Sequence, residues 1–149
     1  MDEYAVLRML HVTGAVLLIG NVTVTGFWAA FLYRARPGVP FRPVARAIMW
    51  ADLLFTLGGG ILLTVSGILL AMRLQLRVWD TPWLLKGIAA LGVATLVWLI
   101  ILLPYQLRLE RNPPEDERRL RRLFLGWTLV GWADTAVLLY GLWAMVVRR

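Results

Sequence analysis

Hydrophobic and polar positions divide the chain into four long apolar stretches, over residues 5–33, 47–72, 83–107 and 123–147, separated by short polar joints. A bilayer core of ~30 Å takes roughly 20 helical residues at about 1.5 Å each, and every stretch is long enough. None alternates with period two, so the pattern predicts helices and not the strands of a membrane barrel. The joints carry the helix breakers. Pro37-Gly38 and Pro40 stop the first helix, and Asp80-Thr81-Pro82 reads as a cap followed by a proline at a helix start. Asn112-Pro113-Pro114 precedes the charge run Glu115-Asp116-Glu117-Arg118-Arg119, a short solvated extension of the fourth helix. Short joints between consecutive spans predict an all-α, integral membrane four-helix antiparallel bundle, a single domain over residues 1–149.

Composition agrees. The 149 residues are 60% hydrophobic and 17% charged, against ~45–50% and ~25% in soluble domains. That balance excludes a disordered chain. The absence of cysteine excludes a disulfide scaffold, an iron–sulfur cluster and a thiolate metal site. The net charge of +7 invites a nucleic-acid reading, but the basic residues sit in short runs that flank the apolar stretches. The expected partner is the lipid bilayer, with no nucleic acid. The first stretch follows Met1-Asp2-Glu3, with no basic leader and no small-residue cleavage site, so it is read as a retained span.

Orientation follows from the basic residues. Arg34, Arg36, Arg42, Arg46, Arg108, Arg111, Arg118, Arg119, Arg121 and Arg122 occupy the first and third joints, ten in all. Six lie on the other side: Arg8, Arg73, Arg77, Lys86, Arg148 and Arg149. The positive-inside rule then predicts an N-out/C-out protein of a bacterial inner membrane, with Trp79, Trp83 and Trp143 in an outer interfacial belt.

Counting inward from Arg34, Arg46, Arg108 and Arg122 at about 1.5 Å per residue sorts the polar residues by depth. Asn21, Gly58, Gly59, Thr95 and Asp134 fall near mid-bilayer. A carboxylate facing lipid there costs at least ~2.5–3.5 kcal/mol, so Asp134 is expected to face the bundle, hydrogen-bonded by Asn21 and Thr95 where Gly58, Gly59 and Gly60 leave room. This layer reads either as the polar site of a small transporter or non-catalytic membrane subunit, or as a contact that fixes helix register. Asp52 counts as shallow, about 9 Å in, and is expected to cap, snorkel, or pair with Arg46 or an arginine of the third joint. Trp50-Ala51-Asp52 recurs as Trp132-Ala133-Asp134, a three-residue hint of a duplicated hairpin.

A second layer lies near the outer boundary. It contains His11, the one histidine, with Lys86 and Met145 at matching depth and Ser66 and Gly67 close to it. Arg8 and Gly14 lie one turn either side of His11 on its face. Imidazole and thioether form an axial pair for haem, and basic groups at the water boundary suit its propionates. The expectation is a b-type haem held by His11 as iron ligand and Met145 as the second ligand. Met72, Met9 or water are alternatives to Met145. Gly67 leaves space for a flat ligand, and Arg8 and Lys86 hold the propionates. Covalent attachment is excluded because no Cys-x-x-Cys-His is present. A bis-histidine haem requires a symmetric homodimer. The function so implied is redox or electron transfer with a redox partner. No hydrolase, P-loop, dinucleotide or zincin motif is present.

Leu10-His11-Val12-Thr13-Gly14, Gly20-Asn21, Thr25-Gly26-Phe27-Trp28, Asp52-Leu53-Leu54-Phe55-Thr56, Ser66-Gly67, Trp83-Leu84, Pro104-Tyr105-Gln106 and Trp143-Ala144-Met145-Val146 together resemble an uncharacterised family of four-helix bacterial integral membrane proteins, domain-of-unknown-function family 2269. That family is in turn remotely similar to the HemJ-type protoporphyrinogen oxidase and to CopD membrane proteins. In the HemJ type a Leu-His pair opens the first helix and a Trp shortly before a Lys opens a later one, and haem b is the implied cofactor. Leu10-His11 and Trp83 with Lys86 follow that outline. The second family histidines are absent: Tyr33-Arg34 and apolar residues stand where they fall. The resemblance thus implies haem binding through one histidine more than protoporphyrinogen IX oxidation.

Overall fold

The computed structural model describes residues 2–35, 41–111 and 116–148. Four helices long and apolar enough to cross a membrane account for nearly all of them: α1 Glu3–Ala35, α2 Arg42–Arg73, α3 Pro82–Arg111 and α4 Glu117–Val147. Each outruns its apolar stretch, because polar flanks continue the helix into the interfacial layer. Arg42 and Arg46, placed in a joint by the hydropathy pattern, lie in α2, and Arg108 and Arg111 close α3. The breakers Pro37-Gly38, Pro40 and Asn112-Pro113-Pro114, with Glu115, lie outside the described residues.

Helix ends follow local chemistry. Asp116 caps α4 by accepting the Arg118 backbone N–H at 3.0 Å, and the exposed residues 117–119 form the expected solvated extension. α3 opens on Pro82, but the expected side-chain cap is not made. The Thr81 carbonyl accepts from Leu84 and Leu85 instead, and Asp80 pairs with Arg77 at 3.2 Å. Two helices widen at mid-length into π-type turns, Asp52–Leu57 in α2 and Trp98–Leu102 in α3. Such turns shift the helical register by about one residue and recur at functional positions.

The helices pack as two hairpins. α1 lies along α2 and α3 along α4, and α1 and α4 join the hairpins on one side. On the other side α2 meets α3 only at the basic end, where Arg46 pairs with Glu110 at 3.1 Å and Arg42 donates to the Arg111 carbonyl at 2.9 Å. Within each hairpin the close approach is made by glycine. A Cβ at Gly14 would lie 2.6 Å from the Leu63 nitrogen and 2.9 Å from the Gly59 carbonyl oxygen. A Cβ at Gly141 would lie 2.8 Å from Ala90 Cβ. Backbones in contact at small residues are the usual means of helix association in lipid. Of the three consecutive glycines only Gly59 makes such a contact; Gly58 and Gly60 have open space.

These contacts extend the short sequence repeat. Gly59 follows Asp52 by the same seven residues as Gly141 follows Asp134. Four residues further on, Leu63 abuts Gly14 and Met145 abuts Gly87. The two hairpins share this local pattern, which places Asp52 and Asp134 in corresponding positions.

Valine at Gly14 is expected to wedge α1 from α2 and cost about 1–3 kcal/mol. Alanine at Gly20 or Gly92, where a Cβ meets nothing, is expected to leave stability unchanged or raise it by up to ~1 kcal/mol. Thermal unfolding of the three variants in mild detergent checks this.

Candidate functional site

The two corresponding aspartates line one cavity of about 330 Å³ between the hairpins. Asp52, only 6% exposed, sits in the π-type turn of α2 and collects donors from three helices. Asn21 of α1 donates through Nδ2 to Asp52 Oδ1 at 2.8 Å and to Thr56 Oγ1 at 2.9 Å. The Thr56 hydroxyl donates to Oδ1 at 3.3 Å, and Gln106 of α3 donates through Nε2 to Oδ2. Behind them the Thr25 hydroxyl donates to Asn21 Oδ1 at 3.3 Å. The expected pairing of Asp52 with Arg46 does not occur, since Arg46 is held by Glu110 nearer the basic end. The depth count failed because Arg46 does not mark the mouth of α2. The helix begins about a turn earlier, which carries Asp52 deeper than the count from Arg46 allowed.

Asp134 is the other carboxylate, 7% exposed, and its Oδ1 has no hydrogen-bond partner. Neither expected partner reaches it. Asn21 is committed to Asp52, and the Thr95 hydroxyl donates to the Leu91 carbonyl at 2.8 Å. Thr95 nonetheless lines the same cavity. Four further buried polar atoms without partners belong to cavity residues: the Gln106 Oε1 acceptor, and Trp98 Nε1–H, Trp127 Nε1–H and the Thr128 hydroxyl as donors. Buried polar groups in folded proteins are otherwise nearly all bonded, and these exceptions belong to residues around one cavity.

Apart from several threonines the rest of the wall is apolar and aromatic, with Trp98, Trp127 and Trp132 around it and, among the described residues, no Lys, Arg or His. Its α1 and α4 contributors Leu18, Thr25, Thr135 and Leu138 are buried, whereas Ile61 and Thr64 of α2 and Thr95 and Leu99 of α3 are exposed. The mouth therefore opens sideways between α2 and α3. On the α1–α4 side the Trp132 ring lies 3.6 Å from where a Cβ at Gly26 would stand.

The outer layer is built differently. His11 Nδ1 lies 2.9 Å from the Leu63 carbonyl oxygen and 3.4 Å from Ser66 Oγ. The space expected over Gly67 is filled by the imidazole itself, whose Cε1 is 2.9 Å from a Cβ built there. The Met145 thioether lies against Gly87 in the other hairpin, with Sδ 3.0 Å from a Cβ built there. Arg8 and Lys86 are exposed at this end. None of these five residues lines the cavity. Among the described residues no three His, Asp or Glu side chains form a metal cluster.

The family described as predicted integral membrane protein (DUF2269) matches residues 5–149. The chain belongs to this family. It is a multi-pass integral membrane protein in contact with the lipid bilayer. No curated protein and no solved structure matches it.

The residues that sequence reasoning missed are Gln106, Thr56 and Thr25. Gln106 is a lone amide near the end of an apolar stretch, and only the continuation of α3 to Arg111 carries it inside the bundle. Removing its amide in Gln106→Ala is expected to cost about 1–3 kcal/mol, because a buried carboxylate loses a donor. Arg46→Ala, which breaks a half-exposed ion pair, is expected to cost under ~1 kcal/mol. Chemical or thermal unfolding in detergent ranks the two.

Proposed function

We propose that this protein is a small carrier or ligand-binding membrane subunit whose working site is the cavity between the hairpins. Asp134 is the ligand-binding group and Asp52 the structural one. The observation that supports this reading above all is a buried carboxylate with an unpartnered oxygen beside a space large enough for a small molecule. Pockets of about 300 Å³ and upward, mostly apolar with a few convergent polar groups, are the usual form of ligand sites. A carboxylate that only fixed helix register would have its oxygens bonded, as those of Asp52 are. In the bacterial inner membrane, with the basic joints in the cytoplasm and both termini outside, the site lies near mid-bilayer.

Gly131→Leu fills the cavity from a position where a Cβ has room. Neopentylbenzene, a small apolar probe, is expected to bind the native chain in lipid nanodiscs, read from tryptophan emission, and to bind at least several-fold more weakly to Gly131→Leu, which keeps or raises stability by ~0.5–2 kcal/mol. Equal affinity with and without Gly131→Leu would overturn the proposal.

A second reading is haem b at His11 in a redox or electron-transfer role. It is favoured by the His11 Nδ1 contact with a backbone carbonyl. That contact holds a proton on Nδ1 and leaves the lone pair of Nε2, the arrangement of metal-ligating imidazoles. Met145 and Gly67 do not fit their expected roles, since each lies in the contact of a different hairpin. The second ligand then comes from outside this set, as from His11 of a second copy in a homodimer. The dithionite-reduced visible spectrum of protein expressed with added haem tests this reading. Sharp bands lost in His11→Ala support it, and a colourless folded protein removes it.

A further inference from the structure

Resting on the cavity as the working site, we infer that its ligand is an amphiphilic organic monocation that enters sideways from the hydrocarbon, between α2 and α3, and binds with its charge on Asp134.

Charge comes first. Among the described residues two aspartates line the cavity and no basic residue does. Asp52 has its oxygens taken by Asn21, Thr56 and Gln106, all neutral. Asp134 has an oxygen free. An isolated carboxylate within the bilayer is costly, and the counter-charge that relieves it is missing from the wall. A ligand that carries one positive charge supplies it.

The aromatic lining points the same way. Trp98, Trp127 and Trp132 are among the residues that line the space beside Asp134. Indole is the most favourable aromatic group for a cation, and the interaction strengthens where water is excluded. An anion would meet two carboxylates, and the unpartnered donors there, the Trp98 and Trp127 N–H groups and the Thr128 hydroxyl, are buried. A bare metal ion wants six or more oxygens, and the wall offers the free acceptors Asp134 Oδ1 and Gln106 Oε1 amid leucine and tryptophan. The apolar majority of the wall requires an apolar body on the ligand.

The route follows from packing. The outer halves of α2 and α3 do not pack along their length, and the exposed cavity residues Ile61, Thr64, Thr95 and Leu99 frame that gap. It faces the bilayer, where amphiphilic cations accumulate with the charge at the headgroup boundary and the apolar body among the acyl chains.

The test uses the full chain in lipid nanodiscs and two probes of one shape. Benzyltrimethylammonium carries the charge, and neopentylbenzene has carbon in place of its nitrogen. Binding is read from tryptophan emission, since three rings line the cavity. The cation is expected to bind at least about tenfold tighter than its neutral twin. Asp134→Asn is expected to erase that preference and Asp134→Glu to restore it. Gly131→Leu is expected to abolish binding of both probes, a result that does not depend on the Asp134 variants folding. Equal affinity for the two probes in the native chain would overturn the cation inference and leave the cavity as the working site. No binding of either probe would overturn both.

Discussion

A carboxylate cannot face hydrocarbon, and this bundle encloses two of them. That constraint organises the molecule. Each aspartate sits on the inner face of the second helix of its hairpin, and each has the same glycine contact seven residues along. The two have been treated in opposite ways. Asp52 is closed off by an amide from α1, a hydroxyl from its own helix and an amide from α3. These bonds tie both hairpins at one depth and make that half of the bundle a fixed structure. Asp134 receives no such partners. Corresponding positions of the two hairpins thus differ: one carboxylate is bonded through both oxygens and the other has an oxygen without a partner.

The cavity exists because packing inside the hairpins is tight and packing between them is uneven. Glycine contacts bring α1 onto α2 and α3 onto α4 with backbones nearly touching. Between hairpins, α1 meets α4 through side chains, with Trp132 lying over Gly26. α2 and α3 meet only at the basic end, through Arg46, Glu110, Arg42 and the Asp52–Gln106 bond. The far halves of these two helices part, and among the residues around the space they leave are five with a buried polar atom that finds no partner. The π-type turns lie at this level on both helices. They re-aim Asp52 and Thr56 on one side, and Trp98 and Leu102 on the other, toward the interior.

Much of this was legible in the sequence, and what was not has definite causes. The four spans follow from apolar length alone, and the inward direction of Asp134 follows from the cost of the alternative. The depth count erred where a basic residue was taken to mark a helix mouth. Arg46 lies inside α2, and the resulting shift placed Asp52 too shallow and gave Asn21 to the wrong aspartate. Gln106 was invisible for a related reason, since hydropathy ended the third stretch one residue beyond it while the helix runs on to Arg111. The π-type turns add register shifts that no periodic template carries. At the outer end, equal depth was taken as proximity for His11 and Met145, but side chains at one depth meet only if their helices pack on those faces. Each of these two instead fills a glycine notch of its own hairpin. The three-residue repeat, weak as a string, gained its force only from the contacts that recur around it.

The turn between α2 and α3 is short, closed by Arg77 and Asp80, and the helices on either side of it diverge. It carries the chain from one hairpin to the next and packs against the start of α3, where Thr81 accepts from Leu84 and Leu85. The molecule is thus two pieces joined by a strap, held to each other by the α1–α4 face, the Arg46–Glu110 pair and the buried bond from Gln106 to Asp52. The strap bridges the open side at one end, and the polar clasp of Arg46, Glu110, Gln106 and Asp52 bridges it at the other, so the mouth is a window framed at both ends.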